Sequence, residues 1–154
     1  MNHKSIIFLV IALSAGNIFA DETVAAGKKL YTTYCSACHG LSGGMDMSKR
    51  LAPPIIAVKM HYKPDYADLE SFTTALVSWV GKPDESKTKM RGAIRRFKLM
   101  PAMPLPAEDL TKIAAYIYSD DVEKPEGFDE HYQQEHGKGM GKGKGKGKGK
   151  KKSN

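Results

Sequence analysis

Two cysteines are all the sulfur pairing chemistry available among 154 residues, and they stand three positions apart at Cys35 and Cys38. A framework of several disulfides is therefore excluded, and one local device remains. Between Asp21 and Ser119 no stretch alternates apolar and polar residues as a half-buried strand would. That absence excludes the βαβ setting in which a thioredoxin-like Cys pair works. The residue directly after Ala20 is Asp21 and not cysteine, so a lipoprotein signal is not expected. Residues 137 to 154 contain no acid, and the net charge of +7 belongs mainly to their eight lysines. Residues 21 to 119 hold fourteen basic and ten acidic side chains, a surplus of only four, so whole-protein nucleic-acid binding is not expected.

The first twenty residues combine a basic start in "MNHK", the apolar run "IIFLVIAL" and the small-residue region "SAGNIFA". They read as a secretory signal cleaved after Ala20, with an uncleaved membrane anchor as the alternative because Ile18 is large for its position. The protein is therefore expected to be exported and periplasmic. An oxidising compartment would turn a bare Cys pair into a disulfide unless another group consumed it.

The body, residues 21 to 119, is expected to be all-α. "DETVAAGKKLYTTY" opens with an acidic cap and places Val24, Gly27, Tyr31 and Tyr34 on one face. Residues 41 to 67 read as a long loop with a short helical piece near Val58. "DLESFTTALVSWV" sets Leu69, Phe72, Leu76, Trp79 and Val80 in a stripe. "KMRGAIRRF" is expected to turn Met90, Ala93, Ile94 and Phe97 inward. The prolines of "MPAMPLP" forbid helix, and "AEDLTKIAAYIY" then buries Leu110, Ile113, Ala114 and Ile117. Residues 120 to 136, with seven acids and one lysine, read as an acidic linker without an apolar stripe. The Gly/Lys repeat of 137 to 154 is expected to be disordered.

"CSACHG" leaves three possibilities: a redox disulfide, a metal site and a covalent haem. A disulfide has no use for the adjacent His39. Zinc needs about four ligands, and His61, His131 and His136 lie in a loop and an acidic tail without ligand-like pairing. C-x-x-C-H is the haem-attachment signature, in which both thiols add to the haem vinyl groups and the next imidazole sits under the iron.

On these residues the chain resembles a class I, monohaem c-type cytochrome over about residues 22 to 119. Gly27, Tyr31 and Cys35 match family positions at four-residue intervals, and Ile113 and Tyr116 match the pair on its last helix. The resemblance implies a small cytochrome c fold wrapped around one haem c, covalently held by Cys35 and Cys38, with the first and last helices crossing at Gly27. It implies His39 and Met100 as axial iron ligands, with Met103 in "LMPAMP" as the alternative. It implies that the Pro53 carbonyl orients His39, that Ile55 lines the pocket and that Trp79 lies near a propionate.

Six-fold coordination would leave iron no open position, so the expected function is electron transfer and not catalysis. The alternatives are a haem-based ligand sensor or weak peroxidase with a labile methionine, and a fixed subunit of a larger respiratory complex. Lys87, Lys89, Arg91, Arg95, Arg96 and Lys98 are candidates for docking an acidic redox partner. The Gly/Lys tail is a candidate for contact with an anionic membrane or envelope polymer.

Overall fold

The computed structural model describes residues 15–119 and 122–136, with side chains from residue 21 onward. Most of the expected leader and all of the Gly/Lys tail lie outside the described residues. Seven α-helices and no strand occur among those described: α1 (Ala15–Tyr34), α2 (Ser36–His39), α3 (Ile55–Tyr62), α4 (Leu69–Gly81), α5 (Arg91–Phe97), α6 (Ala107–Tyr118) and α7 (Phe128–His136). The all-α expectation holds. Helix α1 begins upstream of its expected cap, so Asp21 and Glu22 are exposed interior residues. With no proline in residues 15–20, nothing stops the helix from propagating through them.

Helix α6 is the centre of the molecule, packed by α1 on one side and α4 on another. Its expected stripe of Leu110, Ile113, Ala114 and Ile117 is buried, and so are Ala115 and Tyr116 because two helices cover it. Where α1 crosses α6, a Cβ on Gly27 would lie 1.9 Å from the Lys112 carbonyl oxygen and 3.0 Å from Tyr116 Cβ. Only a residue without a side chain permits that approach. One turn on, the Tyr31 and Tyr116 rings meet at 5.3 Å between centroids.

Asp68 caps α4 by accepting from the Ser71 amide at 2.8 Å. Phe72 is buried, and Leu76 and Val80 pack against the core. Leu69, expected in the same stripe, is exposed at the first position of the helix. The C-terminus of α6 receives two cations from α3 and the turn after it. Buried Lys59 donates to the Ser119 carbonyl, and Lys63 donates to Tyr118 O at 3.3 Å while lying over the Tyr118 ring. Positive groups there complement the helix dipole and the unpaired carbonyls.

Two segments differ from the sequence-based expectation. The acidic stretch after Asp120 is not a bare linker: Val122, Pro125 and Phe128 are buried, Tyr132 packs against the core and Lys28 pairs with Glu123 at 2.9 Å. Three apolar side chains at three-residue spacing suffice to dock α7, although Glu123, Lys124, Glu126 and Gly127 fill the positions between them. The loop of residues 40–52 is ordered around Arg50, which is only 7% exposed. Its guanidinium donates to the carbonyls of Gly40, Ser42, Gly44 and Ala52. Gly43 and Gly44 take the positive φ values, 84° and 54°, that bring those carbonyls inward.

Gly27→Ala is expected to cost about 2–3 kcal/mol in urea denaturation through overpacking, and Gly27→Leu to prevent accumulation of folded protein. Normal yield and stability of both variants would rule out this crossing. Arg50→Met is expected to cost about 2–4 kcal/mol by leaving loop carbonyls without donors, and an unchanged denaturation midpoint would show that the loop holds itself.

Candidate functional site

The Cys motif begins where α1 ends. Cys35 interrupts the helical run, and its carbonyl accepts from the amides of Cys38 at 3.2 Å and His39 at 2.9 Å, so both residues fold back over it. The single turn of α2 brings Cys35, Cys38 and His39 to one wall of a cavity. Burial and the neighbouring Cys38 push the Cys35 thiol up to about 11. A thiol held in that range is a poor nucleophile for disulfide exchange, which argues against a redox dithiol.

His39 Nδ1 donates to the Pro53 carbonyl at 2.8 Å. This bond fixes the ring and, in the neutral imidazole, leaves Nε2 as the nitrogen with a free lone pair. Burial is the main cause holding His39 below the ordinary histidine range, with the nearby Arg50 charge adding to it, so the ring is kept neutral. Pro53 and Pro54 also end the Arg50 loop and lead into α3, whose first residue, Ile55, is buried and lines the same cavity.

The cavity contains about 240 Å³ of room for the centres of water-sized molecules. One water needs about 10–15 Å³ on that measure. A packed interior does not leave so large an apolar space unfilled, so the wall is shaped for a sizeable apolar group. Trp79 and Val80 of α4, Met90 at the N-cap of α5, and Ile94 and Phe97 of α5 contribute to that wall. The inward stripe expected for 90–97 is thus turned to the cavity. Met100 and Met103 both line it, each half-buried. The Met103 amide donates to Val80 O at 2.9 Å, tying this irregular stretch to the end of α4. Lys98, which ends α5, has φ 69° and ψ 177°, a conformation that ordinarily belongs to glycine.

All seven residues expected to bind the cofactor, Cys35, Cys38, His39, Pro53, Ile55, Trp79 and Met100, meet at this one cavity. Two sulfurs, one neutral imidazole, two thioethers and an apolar wall fit a haem. At the rim, Leu51 is 71% exposed, and Tyr34 and Leu99 are also exposed. The basic stretch beside the rim is less uniform than its composition. Lys89 pairs with Asp65 at 2.8 Å and Lys87 with Asp84 at 3.8 Å, whereas Arg91, Arg95, Arg96 and Lys98 stand exposed without an ion pair among the described residues. Sequence reasoning missed Arg50 and the rim leucines. Arg50 bonds only to backbone carbonyls, which carry no residue signature.

Among models of protein families, residues 22–117 match the one described as cytochrome C oxidase, cbb3-type, subunit III. No curated protein and no solved structure matches the chain. The matched span contains the Cys motif, the cavity wall and the crossing of α1 with α6, and a domain of this kind implies haem c and electron transfer. The chain belongs to the cytochrome c domain family described as cytochrome C oxidase, cbb3-type, subunit III.

Proposed function

We propose that the protein is an exported, periplasmic one-electron carrier working on a single haem c, thioether-linked to Cys35 and Cys38, with His39 and Met100 as axial ligands. The observation that carries this reading is the meeting of Cys35, Cys38, a fixed neutral His39 and Met100 at one apolar cavity. Bound there, haem supplies a one-electron iron couple. The chain supplies the rest. Pro53 holds the His39 ring in one orientation, which limits rearrangement when charge changes. The thioether of Met100 and the apolar wall of Ile55, Ile94 and Phe97 disfavour the more highly charged ferric state and so raise the potential. Trp79 lines the same wall and would lie near a propionate of the bound haem. With His39 and Met100 both holding the iron, no position would be left for substrate, and the chain would act as a carrier and not as an enzyme.

Arg91, Arg95, Arg96 and Lys98 form the surface that meets an acidic redox partner, since Lys87 and Lys89 are already paired with acids of this chain. The Gly/Lys tail supplies a second, weaker attraction toward an anionic membrane or envelope polymer. A fixed subunit of a respiratory complex is the second reading, favoured by membership of a family described as subunit III of an oxidase. Co-purification with membrane oxidase subunits at high salt would select it over a diffusing carrier.

The oxidised protein is expected to show the weak red-end band of sulfur-to-ferric-iron charge transfer. Met100→Ala should abolish the band and lower the potential, and Met103→Ala should keep both. The reverse pattern would move the ligand to Met103. A wild type without the band that readily binds carbon monoxide would establish the open-site sensor or peroxidase instead. Separately, Arg95→Glu with Arg96→Glu is expected to slow electron transfer to an acidic partner about three- to tenfold at low salt, with Lys87→Glu having a smaller effect. Equal rates and equal salt dependence in all variants would remove the docking surface.

A further inference from the structure

His61 and His136 are separated by most of the fold in sequence, yet their rings lie 5.0 Å apart between centroids, nearly perpendicular at 76°. His61 sits in the last turn of α3 and His136 in the last turn of α7. Tyr132, one turn before His136 on the same face, packs against the His136 ring at 4.5 Å and stands edge-on to His61 at 6.5 Å. Helix α7 is anchored at its other end by buried Phe128, which stacks on Tyr132 at 5.8 Å. The two imidazoles are therefore presented by two packed helices and not by loose chain. Among the described residues, neither ring makes a hydrogen bond or an ion pair.

Burial, with the neighbouring His136 adding to it, holds His61 below the ordinary histidine range, which favours the neutral ring near pH 7. Neutral imidazole is the ligand form preferred by borderline divalent ions, and Zn(II), Cu(II) and Ni(II) all accept it. Hard cations such as Mg(II) and Ca(II) prefer carboxylate and carbonyl oxygen. No cluster of three or more His, Cys, Asp or Glu side chains suited to a metal occurs among the described residues, so water would complete the coordination. We propose that His61 and His136 form a two-imidazole site for a borderline divalent metal ion, Zn(II) or Cu(II), which clips α7 onto α3. The site is separate from the haem cavity, which neither residue lines. It would fix the root of the Gly/Lys tail, which starts at the next residue.

The test is calorimetric titration of the haem-loaded full chain with Zn(II) at neutral pH, alongside His61→Gln, His136→Gln and His131→Gln. One zinc per chain is expected, with affinity reduced at least about tenfold by either of the first two substitutions and unchanged by the third, as for loss of one of two ligands. His136 is exposed, so its substitution does not threaten the fold. Amide exchange across residues 128–136 should slow on zinc addition in the wild type and not in His136→Gln. Absence of binding, or equal binding by wild type and both ligand variants, would overturn the site.

Discussion

The close crossing of α1 over α6 is the constraint on which the other features depend. Gly27 lets the two backbones approach until the next carbon would strike the Lys112 carbonyl, and Tyr31 then packs on Tyr116. Because α1 continues directly to Tyr34, fixing that crossing also fixes where the chain delivers Cys35. The single turn of α2 hangs from the Cys35 carbonyl, so Cys38 and His39 inherit the same placement. Error at the crossing would propagate along a rigid helix, without a flexible loop to absorb it, to every group on that wall of the cavity.

The opposite requirement is met by loops. His39 needs a partner for its second nitrogen, and the carbonyl of Pro53 reaches it from fourteen residues on. Those fourteen residues follow an irregular path, and Arg50 replaces the missing ladder of backbone bonds with a guanidinium that gathers four carbonyls. A buried cation without a carboxylate is costly unless its donors are satisfied. Here the dipoles of four peptide groups supply that satisfaction, and the same bonds hold the chain that positions Pro53.

Much of this was legible in the sequence. The Cys motif, the helical spacing of 107–118 and the glycine four residues before Tyr31 each carry a pattern that chemistry or geometry demands. Three features were not. Arg50 acts on backbone oxygens, which any residue provides, so no spacing marks its partners. The stretch 122–136 carries five acids, and average polarity conceals that Val122, Pro125 and Phe128 recur at one spacing and are enough to dock a helix. His61 and His136 look unpaired in sequence because their proximity depends on that docking. One misjudged segment therefore hid both a packing interface and a side-chain cluster.

The choice between two methionines shows where local sequence runs out. Met100 and Met103 have the same side chain, both line the cavity, and each precedes a proline. Their backbones differ. Met103 is tied by its amide to the end of α4, so its position follows from that helix. Met100 lies two residues after Lys98, whose backbone takes a conformation that costs a non-glycine residue about 1–3 kcal/mol. Lysine at such a position is maintained only if the surrounding packing over-determines the turn, and the turn is what sends residues 99–101 back along the cavity instead of onward with α5. A strained residue two positions before Met100, on a turn that leads into it, supports the proposed choice of Met100, since no comparable strain stands directly before Met103.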